Sequence, residues 1–489
     1  MLDAGSLLYS KNPIPGHLAA QEDLKANLLT SIYSDHMKVA AVGLGPADLS
    51  KDVPGIRFPR QVANVSDAAV STAPYVVTVG AAKVGVFGVM APDAIDKSEL
   101  TKDGRQIDVG DPVVAGKRAV AELKKQGAEV VVGLVQAPSK RDAVAMIREI
   151  GGIDISIAGL GAVAPEPENV SPEADKVGDG WLVIPGNRGQ VVSRVDVTVR
   201  PGTAPLVDAV GKGAAQGKIA ALDRQLATLD ADLAKFAQDK DADAKFVEAK
   251  KRERDEVSAL RAKLQAQPLV VPAKGSYFTL EQIRINKLLA CSVPVRDAIK
   301  AFDVAAGEAN VKAAANKQVV PPAKGKPGYV GSEACSDCHQ EAVDFWKTTR
   351  HAHAWETLVE RGQQFDYECI GCHVTGWEQP GGSNLAHNDN LRDVQCETCH
   401  GPGSIHAAKG GEEKPFAIVR APKEDLCATQ CHTKEHSDTF ERTAYLRDIL
   451  GKGHGEAARA KLGDGPTGHS LRSAALDKAG RELGAGCVK

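Results

Sequence analysis

Four short strings near the C-terminal end constrain this chain more than anything else in it. They are CSDCH (Cys335, Cys338, His339), CIGCH (Cys369, Cys372, His373), CETCH (Cys396, Cys399, His400) and the one-residue-wider CATQCH (Cys427, Cys431, His432). Two thiols at this spacing can bond the two vinyl groups along one porphyrin edge, while the imidazole that follows turns under the ring to ligate iron. Zinc ribbons also use paired C-x-x-C units, but a tetrahedral zinc has no use for a histidine directly after every pair. Four covalent c-type haems are therefore expected, with His339, His373, His400 and His432 as their proximal ligands.

The remaining chemistry is distributed just as unevenly. Of 489 residues, the first 290 contain no cysteine and only His17 and His36; from residue 325 onward lie nine of ten cysteines and 11 of 13 histidines. All four methionines, at positions 1, 37, 90 and 146, sit in the first third, so the haem region has no thioether of its own. Each iron then takes a second histidine or stays open on one side, with potentials below those of Met/His cytochromes. Seven histidines remain for those positions: His351, His353, His387, His406, His436, His454 and His469. Cys291 and Cys487 are left over, and a disulfide, an intermolecular link or idle thiols are all open. Aromatic residues make up 4% of the chain, so the porphyrins themselves are expected to serve as core in the haem region.

Sixty basic against 63 acidic residues leave a net charge of −3, which excludes a global basic field and argues against nucleic acid as partner. No run of about 18 apolar residues predicts a membrane span. The first residues lack the charged start and cleavage site of a signal peptide. Covalent haem is nonetheless attached outside the bacterial inner membrane, so a periplasmic or extracellular location and a truncated start are expected.

The runs YVGSEACSDCHQEAVDFWKTTRHAHAWETL, CIGCHVTGWEQPGG, VQCETCHGPGSIHA and CHTKEHSDTF with a later GHG resemble the cytochrome c-554 type tetrahaem family over about residues 327–456. The resemblance implies that His351 of the HAHA string, His406 after Cys-His-Gly-Pro-Gly and His454 of GHG are distal iron ligands. The HAHA register stays open between His351 and His353. The fourth haem would use His353, His387, His436 or His469, or remain five-coordinate as in some family members.

Residues 1–205 read as a layered α/β domain. KVAAVGL, KVGVFGV, AEVVVGLV and IDISIAGL predict buried strands, and DPVVAGKRAVAELKKQG and SKRDAVAMIREIG predict the helices between them. GLGPAD and GLGAVAP do not complete a phosphate-binding G-x-G-x-x-G and read as turns after strands. MLDAGSLLY, AVGLGPADL, RQVANV, KVGVFGVMAPDA, VVVGLVQAP and WLVIPGNRGQVVSRVDVTV are similar in order to 5′-nucleotidase and calcineurin-like metallophosphoesterases. That family holds two metals on Asp, Asn and His side chains. Here Ser6 stands where the bridging Asp is expected, Gln136 and Ala137 replace a histidine, and only Asp3, Asp48 and Asn64 match the old positions. The resemblance thus implies a catalytically inactive domain.

Ile219, Leu222, Leu226, Leu229, Leu233 and Phe236 step by three and four, and after a break at 238–243 the pattern resumes to Leu264, predicting a helical hairpin within 206–315. Residues 275–315 are expected to be further helix packed on the first domain, 316–328 a Pro/Lys linker, and 329–489 the tetrahaem domain. The expected function is electron transfer through four haems, to redox partner proteins or a membrane complex, with self-association left open and no catalytic residue. The alternatives are an oxidoreductase with one open haem acting on a small nitrogen, sulfur or oxygen species, and a 5′-nucleotidase-like hydrolase.

Overall fold

The computed structural model describes residues 1–478 except 10, 54, 66–72, 93–100, 103–104, 166–168, 203–204, 238–243, 270, 286–288, 415–416, 434–435 and 438. Cys487 lies outside the described residues; Cys291 is disulfide-bonded. The chain divides into two compact units, Met1–Pro13 with Leu29–Ile285, and Ile14–Leu28 with Asn286–Lys489.

The first unit is built on three parallel pieces, β1 (Leu2–Asp3), β2 (Ala41–Gly43) and β3 (Arg60–Gln61), and a six-stranded sheet. That sheet contains β4 (Tyr75–Val79), β5 (Ala82–Met90), β8 (Val130–Gln136), β9 (Ile155–Gly159), β10 (Asp175–Val177) and β11 (Gly180–Val183), in the order β10-β11-β9-β8-β5-β4. The pair β6 (Thr101–Lys102) and β7 (Arg105–Gln106) stands apart. Strands β5, β8 and β9 are parallel. They are linked by α2 (Pro112–Lys125) and α3 (Lys140–Ile150), as the alternation of apolar runs and amphipathic stretches predicts.

Every residue of β8 is buried, which is why its sequence VVVGLVQ is a continuous run rather than an alternation. Asp111 caps α2 by accepting from the amides of Val113 and Val114, with Pro112 at its first position. Ser139 caps α3, and Gly151 at φ +67° ends it. Phe87, Leu123, Val135, Ile147 and Leu182 belong to one continuous core against this sheet. Gly88 is required by close approach: a Cβ there would stand 1.9 Å from the Gln61 carbonyl oxygen.

A hairpin of α4 (Lys212–Phe236) and α5 (Ala244–Ala266) follows, as the broken stripe predicts. Phe236 meets Phe246 edge to face, and Arg254–Asp230 and Arg261–Asp223 tie the two helices. The expectation of helix throughout 275–315 is corrected: Tyr277–Arg284 is β14, pairing with all eight residues of β12 (Val191–Thr198) and with β13 (Val207–Asp208). Its residues alternate, with Phe278 and Leu280 buried between less buried neighbours, and that period of two outweighs its helical neighbours.

In the second unit, α6 (Val293–Ala314) carries Asn310, whose amide donates to Gln21 Oε1 (2.7 Å) and to the Phe365 carbonyl (2.9 Å). Gln21, on α1 (Ala19–Asp35), donates in turn to Asp366. Helix 293–314 therefore belongs with the haem-motif region rather than with the first unit. The Pro/Lys stretch is extended, and its Val320 carbonyl accepts from Gly381. Beyond it come short helices: α7 (Glu333–Trp346), α8 (Ala354–Val359), α9 (Tyr367–Ile370), α10 (Cys396–His400), α11 (Ser404–Ala408), α12 (Leu426–Gln430), α13 (Arg442–Ile449), α14 (Glu456–Lys461) and α15 (Gly468–Lys478). The apolar cluster here is small, with Ala314, Trp355, Ile370, Val374 and Leu385 at its centre.

Candidate haem-binding site

Each attachment motif begins on a short helix and ends where that helix stops or bends. Cys335 and Cys338 lie on α7, which leaves helical geometry at His339 (φ −121°, ψ 37°). Cys369 is the penultimate residue of α9, Cys396 to His400 is α10 with Gly401 at φ +86° reversing the chain after it, and Cys427 lies at the start of α12. A helical turn puts two cysteines three or four apart on one face, and breaking the helix at the next residue lets the imidazole swing away from it. The eight motif cysteines are free. Cys396 pushes the Cys335 thiol pKa up and Cys431 pulls that of Cys372 down to about 7, so the members of each pair are near neighbours. The first motif thus stands beside the third and the second beside the fourth.

The histidines are arranged in facing pairs. Ring centres of His339 and His406 are 6.5 Å apart with planes 15° from parallel. Those of His351 and His432 are 6.3 Å apart at 37°, and those of His400 and His454 are 6.1 Å apart at 84°. Two imidazoles on opposite sides of one iron, each bonded at about 2 Å and about 1.1 Å from ring nitrogen to ring centre, would have centres about 6 Å apart. The donor set therefore fits bis-imidazole haem at three of the four motifs. Among the described residues no histidine ring stands opposite His373 at such a separation.

Outer nitrogens fix the orientation of these rings. With Nε2 reserved for iron, Nδ1 carries the proton and donates: His400 to the Val419 carbonyl (2.7 Å), His454 to Ile449 (2.8 Å), His373 to Ala354, His432 to Ser437 Oγ (3.1 Å) and His406 to Glu413 Oε1 (2.9 Å). Burial, then His432, lowers the His351 pKa to about 4, which keeps the ring in its neutral, ligating form. Burial likewise lowers His373 and His432.

In the HAHA string, His351 faces His432, whereas His353 is exposed and its Nε2 lies 3.1 Å from the Lys347 carbonyl. His387, His436 and His469 are exposed as well. His454 is delivered by glycine: Gly453 and Gly455 sit at φ +70° and +74°, and a Cβ on Gly451 would stand 2.2 Å from the Phe345 ring.

Sequence reasoning missed the groups that lock the motifs together. Glu397, inside CETCH and 4% exposed, accepts from the amides of Val330, Gly331 and Gly403, tying the third motif to the segment leading into the first. Gln395 accepts from Ser332 and donates to the carbonyls of Asn390 and Arg392. Glu397 occupies a position that the attachment motif leaves variable and Gln395 lies just before the motif, so spacing carried no sign of them. Glu413 is a third such group.

In the first unit the matching phosphoesterase positions are occupied by internal hydrogen bonds. Asp48, 1% exposed, accepts from the amides of Ser6, Leu7, Leu8 and Gly45. Burial raises its pKa to about 6, and those amides pull against the rise. Asp3 accepts from Gly5 and from the Tyr33 hydroxyl. Asn64 bridges Met90 and Gly110, and Gln136 donates to the Ala4 carbonyl. His17 belongs to the second unit, where its ring packs edge-on against Tyr367. Among the described residues no group of three or more His, Cys, Asp or Glu side chains could hold a metal ion between them.

Comparison with known proteins agrees with the motif reading. The family model described as cytochrome c554 and c-prime matches residues 334–401. Cytochrome c-554 of Nitrosomonas europaea is 32% identical over 117 residues, covering 20% of this chain and 50% of the relative, so the chain spans about half the length of the curated relative it matches. Among solved structures, reduced cytochrome c554 from Nitrosomonas europaea covers 22% of this chain and 66% of its own, at 27% identity and a TM-score of 0.18. The 5′-nucleotidase precursor of Thermus thermophilus covers 77% of this chain and 59% of its own, at 17% identity and a TM-score of 0.38. Residues 334–401 are therefore similar to the cytochrome c554 and c-prime family, in a chain whose first unit is an α/β fold.

Proposed function

We propose that this protein is a multihaem electron carrier working outside the cytoplasm, with four covalently bound haems in the second unit and a catalytically inactive, phosphoesterase-like first unit as scaffold or docking surface. The observation that carries it is the set of three imidazole pairs at 6.1–6.5 Å. When bound, haem supplies one-electron iron chemistry. The chain's own residues do the rest. The cysteines would anchor the porphyrin edges, the paired histidines would ligate the iron, and the Nδ1 hydrogen bonds hold each ring still so that little would reorganise on electron transfer.

Adjacent thiols of the first and third motifs, and of the second and fourth, support close haem neighbours and hence a path for electrons. Thioether attachment itself supports a periplasmic or extracellular location, and redox proteins or a membrane complex are the partners the reading requires. Hydrogen bonds already made by Asp3, Asp48, Asn64 and Gln136 support the inactive reading of the first unit. Low-temperature EPR of the oxidised protein, with pyridine haemochrome stoichiometry on the same sample, tests the proposal. Four haems with three or more low-spin signals are expected; zinc in place of iron, or mainly high-spin haem, overturns it.

A second reading, an oxidoreductase acting on a small molecule, is favoured at one place only. His373 lacks a facing histidine among the described residues, so its haem is the one where a small ligand would enter. Carbon monoxide added to the reduced protein should bind one haem in four; no binding sinks this second reading.

A further inference from the structure

The facing imidazoles differ in what holds their outer nitrogens. Val419, Ile449 and Ala354 offer neutral carbonyls to His400, His454 and His373, and Ser437 offers a neutral hydroxyl to His432. His406 instead meets a carboxylate, Glu413 Oε1 at 2.9 Å. Glu413 is 9% exposed. Its Oε1 also accepts from the Ala417 amide at 3.4 Å, while Oε2 is buried with no hydrogen-bond partner. Among the described residues its ion-pair partner is His406, with no lysine or arginine sharing the charge. A carboxylate hydrogen-bonded to one imidazole acts on that ring more strongly than a carbonyl dipole does.

We propose that Glu413 is a positioning residue that tunes the haem of the Cys335–His339 motif. By taking the Nδ1 proton of His406 into a charge-assisted hydrogen bond, it fixes the ring and gives the coordinating nitrogen more anionic character. That favours ferric over ferrous iron and lowers the potential of this one haem. Adding an electron there means reducing iron beside a carboxylate hydrogen-bonded to the ligand ring, whereas Asp448 and Asp393 act on His351 and His373 only through space.

The inference rests on the proposed sharing of one iron by His339 and His406, and the two fail separately. Haem stoichiometry and EPR of the wild type test the sharing, and potentials test Glu413. The experiment is a mediated spectroelectrochemical titration of the haem-loaded full chain, comparing wild type, Glu413→Gln and Glu412→Gln. Glutamine keeps the size and an accepting oxygen but removes the charge.

One of the four couples should rise in Glu413→Gln by at least tenfold in its reduced-to-oxidised ratio, which is about 59 mV for one electron. The other three should stay within threefold. Glu412→Gln, which removes an exposed charge beside Glu413 in sequence, should move no couple by more than threefold. Four Glu413→Gln couples all within threefold of wild type, or all four moving together, would overturn the proposal. Should the variant load haem poorly, near-infrared magnetic circular dichroism of the wild type decides. One low-spin haem should show its charge-transfer band at higher energy than the other two, and coincident bands would overturn the inference.

Discussion

The two units of this chain are built on different physical terms. In the first, side chains do the work: a fully buried parallel strand, capped helices and a continuous apolar core around Phe87 and Leu123. In the second, beyond α6, helices of 14 residues or fewer, turns and positive-φ glycines surround a small apolar cluster and bring histidines into facing pairs. A domain that stores its stability in side chains needs no cofactor to fold. One that uses its side chains to hold a cofactor depends on that cofactor for its core.

The largest test of this contrast is to withhold the cofactor. Cys396→Ala together with Cys399→Ala, or expression without haem attachment, should leave residues 329–478 with fast amide exchange while β5, β8 and β9 stay protected. Hydrogen exchange by mass spectrometry reads both at once, and a protected 329–478 without haem would break the comparison. The converse substitution is Phe87→Ala, which should destabilise the first unit by about 3–5 kcal/mol in denaturant unfolding. The haem absorption spectrum should not change.

Smaller effects sharpen the comparison. Glu397→Ala leaves three buried amides without their acceptor and should cost the second unit about 1–3 kcal/mol, read as an earlier loss of low-spin haem on heating. Asp48 gives a pH test. Its folded pKa, about 6, lies above the ordinary aspartate value, so the folded state holds the proton more tightly. Its contribution is therefore fully present below about pH 4 and is lost as pH rises toward 6, by up to about 3 kcal/mol. The difference in stability between wild type and Asp48→Asn across that range isolates the group, and a flat difference would contradict it. The smallest effect belongs to metal: manganese or zinc should neither raise the melting temperature of the first unit nor release phosphate from a nucleotide. Metal-dependent phosphate release would return that unit to the enzymes.

Much of this was legible in local pattern. Strands β5, β8 and β9 follow from continuous apolar runs and helices α2 and α3 from amphipathic periodicity, because each packs against elements close to it in sequence. The hairpin followed from a stripe that breaks at 238–243. Residues 275–315 misled because β14 is a strand only by virtue of pairing with β12, on the far side of the hairpin. Cys-x-x-Cys-His likewise fixes attachment and proximal ligand within a single turn of chain.

What local pattern could not carry is what faces what. Pairing of His339 with His406, of His351 with His432 and of His400 with His454 joins residues tens of positions apart. So does the meeting of Glu397 with Val330 and Gly331. The sequence by itself determined the four Cys/Cys-His strings, the absence of a methionine in that region and the residues standing at Ser6, Gln136 and Ala137, because each is a matter of residue type at short spacing. Only the tertiary structure decided which imidazoles face each other, that His373 has no such partner among the described residues, and that a carboxylate stands behind His406. Those depend on where the chain returns, and packing rather than spacing sets that.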